Sequence, residues 1–219
     1  MAAKLDDEAV QRAFREDFLG ILMHDVLLAI ERRELDDVQA TRRDLIRTMF
    51  AAIEGASWEY REHVRSVAAD LDSLPPLVAM ALSEKTYRVA ENGEIDEQVR
   101  YVSIPAMIRL TTRLAESICS GFEFDFKNDG WVNFKTSIKI RNRITHPKSR
   151  DDLNITDGEI AICQSAFFWI IHLTHYFMEL TTVELSHRTK HLKQFVDKLV
   201  AGDETALAQY QAGLDAEQH

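Results

Sequence analysis

Residues 131–147 read Trp131-Val132-Asn133-Phe134-Lys135-Thr136-Ser137-Ile138-Lys139-Ile140-Arg141-Asn142-Arg143-Ile144-Thr145-His146-Pro147. At about 100° per residue, Trp131, Phe134, Ile138, Ile140 and Ile144 span one half of a helical wheel, while Lys135, Lys139, Asn142, Arg143 and His146 occupy the other. The stretch is an amphipathic helix. Asn128-Asp129 supplies caps for its start, and Pro147 ends it at His146, because proline disfavours helical geometry in the preceding residue and donates no backbone bond. Arg141 breaks the pattern. It falls in the apolar half, in an i, i+4 row with Asn133, Ser137 and Thr145, and an arginine there needs a partner because an unpaired buried charge is too costly. Two kinds of partner fit: an acid such as Glu54 or Glu116, or a phosphate entering a cleft.

Helical periodicity continues on both sides of this stretch. Val10, Phe14, Phe18, Ile21, Leu22 and Leu28 predict a first helix from about Leu5 to Arg33. A second begins near Thr41, with Thr41-x-x-Asp44 as a capping box, and carries Leu45, Met49, Ile53 and Val64 towards the break at Leu74-Pro75-Pro76. Leu77 to Ala90 reads as a helix stopped by Asn92-Gly93, and Pro105 to Cys119 as one stopped at Gly121. Beyond a loop over Phe122 to Gly130 and the Trp131 helix, the capping box Thr156-x-x-Glu159 opens a long apolar helix to at least Leu185. His187 to His219 adds one or two amphipathic helices. No segment shows sustained alternation of strand type. The expectation is an all-α fold: one helical domain over 1–219, with four to five core helices at about 41–185, an N-terminal helical extension at 1–40 and a C-terminal helical tail at 187–219.

Composition bounds what such a bundle does. The 219 residues are 46% apolar, with 8 Gly and 4 Pro, which excludes collagen-like and low-complexity classes and provides a sizeable core. Cys119 and Cys163 sit inside apolar helical patterns and read as small core residues of a reduced, cytoplasmic chain. The charged N-terminus has no secretory pattern, and Ile160 to Leu180 carries Gln164, His172, His175 and Glu179, which suits a buried helix better than a membrane span. The net charge is −10, so a uniformly basic nucleic-acid surface is excluded. Lys135 to Arg150 nevertheless holds six basic residues and no acid: Lys135, Lys139, Arg141, Arg143, Lys148 and Arg150. Such an island can bind one phosphate backbone, or it can be a solvated cationic face paired with acids elsewhere.

Asn142 lies between Arg141 and His146 on the wheel, so the three can converge on one small anion. The string Lys139 to Pro147 resembles the RxxxxH signature of the HEPN superfamily, whose members are small helical bundles that often act as metal-independent ribonucleases. Asn142 matches the polar residue that commonly follows the arginine there. The resemblance covers about Trp131 to Pro147, with weaker support from Arg42 to Glu54 and the helix after Thr156. It implies a HEPN-like bundle that cleaves RNA through attack of its own 2′-hydroxyl, with His146 as general acid or base, Arg141 stabilising charge on phosphorus and Asn142 as an orienting hydrogen-bonder. Lys135, Lys139, Arg143, Lys148 and Arg150 would hold the RNA backbone, and Glu54 would support Arg141. No metal or other cofactor is expected. The resemblance further implies a homodimer with facing motifs, a toxin or anti-phage role, and control by a partner protein. One departure stands out: toxins controlled by a partner nucleotidyltransferase carry tyrosine two residues after the histidine, where this chain has Lys148.

A different class also fits, a non-catalytic helical module using the basic helix to hold RNA or a partner protein. Geometry separates the two: a catalytic Arg141 and His146 should line an open cleft, whereas a closed ion pair of Arg141 with Glu54 or Glu116 favours the module. His172 with His175, and His187 with His191, have helix spacings compatible with metal but lack an accompanying motif. Phe167-Phe168-Trp169 reads as packing rather than a base-stacking platform.

Overall fold

The computed structural model describes residues 17–119 and 121–217, and among these the chain is mostly helical. The helices are α1 (Phe18–Leu35), α2 (Gln39–Asp70), α3 (Pro76–Leu82), α4 (Ile104–Ile118), α5 (Asp129–Thr145), α6 (Asp157–Val200) and α7 (Glu204–Glu217), with a 3₁₀ turn at Asp151–Leu153. Strands β1 (Lys85–Val89) and β2 (Ile95–Val99) form one antiparallel hairpin. The expected start of the first helix, with Val10 and Phe14, lies outside the described residues.

Two long helices make the frame. Along α2, Leu45, Ile46, Met49, Ile53, Tyr60 and Val64 are buried, and Ile160, Cys163, Phe167, Ile170 and Phe177 face them from α6. By length and composition α6 could cross a membrane, yet 44% of its most apolar window is buried inside the bundle. α1 covers one side of α2 through Val26 and Ala29, α4 covers another through Ile108, Leu114 and Ile118, and α5 packs along α6. Gly130 lets α5 start tight against α6, since a Cβ there would run into the Trp169 indole. Clustered apolar side chains removed from water supply the main driving force for this arrangement.

Several boundaries follow the sequence. Asn128 Oδ1 accepts from the Trp131 N–H at 3.0 Å. Thr156 and Glu159 form the reciprocal box, Thr156 Oγ1 accepting from the Glu159 N–H at 3.3 Å and Glu159 Oε2 from the Thr156 N–H at 3.0 Å. One needs correction. Thr41 lies inside the first turn of α2, where its hydroxyl accepts from the Val38 N–H at 3.2 Å and donates to Asp36 O at 2.7 Å, so it is not the N-cap. Beyond its expected minimum at Leu185, α6 runs on to Val200, and among the described residues one separate helix follows it, within the expected one or two.

The larger correction is the hairpin. The expected helix over Leu77 to Ala90 ends at Leu82; Glu84 adopts φ 52°, and the chain then becomes extended. Asn92-Gly93 occurs in the hairpin turn, with Gly93 at φ 83°. An Asn-Gly pair signals a hairpin as readily as a helix stop, and Thr86, Tyr87 and Val89 favour a pleated backbone. The base is fastened to α2: the Arg100 N–H donates to Glu84 O at 2.7 Å, and the Glu84 carboxylate accepts from the Val102 N–H at 2.8 Å and from Arg61 at 3.4 Å.

Candidate functional site

The C-terminal end of α5 is held by polar contacts from α2 and from the segment that follows it. The His146 N–H closes the last turn on Asn142 O at 2.9 Å, and Arg47 Nη2 reaches across from α2 to donate to Ile144 O at 3.1 Å. After Pro147, the Asp152 carboxylate accepts from the Lys148 and Ser149 N–H groups, each at 2.8 Å, and these bonds hold its pKa below the usual value. Arg43 then donates to Leu153 O at 2.8 Å and Arg42 to Ile155 O at 2.9 Å. The Gln39 amide makes two bonds to the Ile155 backbone, at 3.0 and 2.7 Å. The chain is thus stapled down on both sides of His146.

Within this cradle lies an open cavity of about 410 Å³ lined by Asn142, Arg143, His146, Lys148 and Asp152. Four of the expected site residues meet there. Arg143 is tied back, donating to Glu159 at 2.7 Å and to Asn154 O at 3.2 Å. His146 and Lys148 are exposed. Lys135 and Lys139 lie on the outer face of α5, and Arg150 is exposed beyond the cavity. Among the described residues none of these three has an acid within ion-pair distance.

Arg141 does not line the cavity. Its Nη2 donates to Glu54 Oε1 at 2.8 Å, and its guanidinium lies 5.8 Å from the Phe50 ring centroid. This is the ion pair that favours a non-catalytic module, but it is not a closed one, since the two side chains are 33% and 44% exposed. Arg141 Nη1 also donates to Asn142 Oδ1 at 3.2 Å, which connects it to the cavity wall. The rest of the polar seam is accommodated locally: Asn133 donates to Ser165 Oγ at 3.1 Å, Ser137 to Phe134 O at 2.8 Å and Thr145 to Arg141 O at 2.7 Å.

Two residues near the cavity were not singled out from sequence. Asp152 is the second of two acids that follow the basic island, so a charge count could have flagged it as a local counter-ion. Arg47 is distant in sequence, and only the crossing of α2 over the end of α5 brings it in. Elsewhere, both cysteines are buried, and burial pushes the Cys163 thiol up to about 12. Among the described residues no three His, Cys, Asp or Glu side chains gather as a metal site. Phe167 is buried, Phe168 is exposed and Trp169 packs on Phe124 and Trp131.

Comparison with known proteins finds no matching family model, no matching curated protein and no matching solved structure.

Proposed function

We propose that the protein is a metal-independent endoribonuclease of HEPN type, built on a HEPN-like bundle and acting on RNA at the end of α5. The observation that supports this best is the placement of Asn142, which lines one cavity with His146 while its side-chain oxygen holds Arg141. In this reading the RNA backbone lies over the exposed cations, with a phosphate at the cavity mouth. The 2′-hydroxyl oxygen attacks the adjacent phosphorus as its proton leaves, the P–O5′ bond breaks, and the 5′-oxygen takes up a proton and leaves as a hydroxyl. His146 serves one of these two transfers and water the other. Arg141 moves from Glu54 to the phosphate and stabilises the added negative charge. The cellular role on this reading is that of a cytoplasmic toxin or anti-phage effector held in check by a partner protein.

Incubation of the purified protein with mixed RNA in EDTA tests the proposal. Cleavage should persist and leave 2′,3′-cyclic phosphate and 5′-hydroxyl ends; strict dependence on a divalent cation overturns the mechanism. The Arg141–Glu54 ion pair favours a second reading, a non-catalytic module that holds RNA or a protein on the same basic helix. RNA that is bound by the wild-type protein but left intact would decide for it.

A further inference from the structure

The hairpin carries an interaction surface independent of the candidate site. Its register pairs Lys85 with Val99, Tyr87 with Glu97 and Val89 with Ile95, so these six side chains share one face. Tyr87, Val89, Ile95 and Val99 on that face are between 59% and 71% exposed. Two strands alone are marginal in water, and an apolar sheet face is normally stabilised by further strands or a covering helix.

The free edges can be assigned atom by atom. The Arg100 N–H donates to Glu84 O and the Ala90 N–H to Glu94 O, which makes both of these opposed pairs hydrogen-bonded ones. Hydrogen-bonded pairs alternate along an antiparallel ladder. Thr86 and Arg88 therefore bond inward to β2, while the N–H and C=O groups of Lys85, Tyr87 and Val89 point outward. On the other edge, those of Ile95, Glu97 and Val99 do the same. The sheet has two strands, leaving both edges without a strand partner among the described residues.

We infer that β1 pairs antiparallel with β1 of a second copy of this chain about a two-fold axis at Tyr87, giving a four-stranded sheet with β1 and its copy at the centre. The sequence of β1 suits itself in that register: Lys85 stands opposite Val89, Thr86 opposite Arg88, and Tyr87 opposite its own copy. No like charges are directly opposed. The cations of β1 are also answered from β2, Lys85 by Glu97 at 2.9 Å and Arg88 by the facing Asp96. The equivalent pairing through β2 would place Glu97 on Glu97, which is destabilising. Charge thus selects one edge, and the contact is isologous and closes after two copies. The exposed apolar faces of the two hairpins become one continuous surface.

The test is oxidative cross-linking of Tyr87→Cys against Glu97→Cys, together with sedimentation of the unmodified protein over a wide concentration range. At the axis, two hydrogen-bonded residues have Cα atoms about 5.5 Å apart, within disulfide reach. Tyr87→Cys should give a covalent dimer and Glu97→Cys should not; Cys119 and Cys163 are buried and stay silent. Two variants at half-buried Thr86, which lies outside the hydrophobic core, read the register. Thr86→Glu, opposite the partner's Arg88, should tighten the dimer by up to about fivefold per pair, and Thr86→Lys should weaken it by a similar factor. A monomer at every concentration overturns the inference, as does a dimer that cross-links equally through Glu97→Cys or ignores both Thr86 variants. A monomer that instead captures an extended peptide along β1 also overturns it.

Discussion

The two ends of α5 are held by different physics. At the N-terminal end Trp131 is buried among rings, with centroids at 4.8 Å from Phe126, 5.6 Å from Phe134 and 6.0 Å from Trp169. At the C-terminal end Ile140 and Ile144 still reach the core, but Arg47, Arg43, Gln39 and Asp152 hold the surrounding backbone through directional bonds. Burial secures a helix at the expense of its side chains' freedom. Bonds to backbone carbonyls and amides fix position while leaving Asn142, His146 and Lys148 facing solvent. One helix can therefore be anchored at one end and present chemistry at the other.

The contrast can be broken at either end. Trp131→Ala should have the largest effect on stability, costing about 3–5 kcal/mol in urea unfolding, because it removes a buried ring and leaves a cavity. A loss below about 1 kcal/mol would show that the aromatic end is not the anchor. His146→Ala should leave stability within about 0.5 kcal/mol and lower RNA cleavage by ~10²–10⁴-fold. Full activity in that folded variant would remove His146 from the chemistry. Glu54→Gln sharpens the comparison at the site itself: freeing Arg141 from a solvent-exposed ion pair should change stability by less than about 1 kcal/mol and raise RNA affinity by up to about fivefold. Weaker RNA binding would mean that Glu54 positions Arg141 rather than restrains it.

The smallest expected effect lies where a polar group enters the packed part of the bundle. His63 on α2 meets the Thr181 hydroxyl of α6 at 3.0 Å, and burial lowers its pKa from the ordinary 6.5. The folded state therefore favours the neutral ring, and the unfolded chain binds a proton more readily. Stability should hold above about pH 6.5 and decline as pH falls from there through the lowered value. His63→Gln should flatten that slope in urea midpoints measured at about pH 7.5 and about pH 5.5. An unchanged slope would show that His63 does not carry it.

Much of the helical frame was legible because local rules and packing agree. Asn128, Thr156 and Glu159 mark helix starts through bonds within four residues, and Pro147 stops α5 through its own ring. The same local rules misread the second half of Leu77 to Ala90, which is helical only to Leu82. Asn92-Gly93 is compatible with a helix stop and with a hairpin, and the fastening of Glu84 to Arg61 and Val102 is not written in nearby residues. At the candidate site, the wheel let Arg141, Asn142 and His146 converge, but the cavity gathers Asn142, Arg143 and His146 while Arg141 lies outside it, paired with Glu54.

By itself the sequence determined the mostly helical frame, the length and polarity of α5, the position of His146 at its end and the need of Arg141 for a partner. These properties depend on periodicity, caps and desolvation, which act along the chain or on one side chain at a time. Only the tertiary structure decided that the partner is Glu54, that Arg47 joins the end of α5 and that two outward strands interrupt the bundle. Periodicity tells which face of an element is covered. The neighbour that covers it is set by how all the faces pack at once.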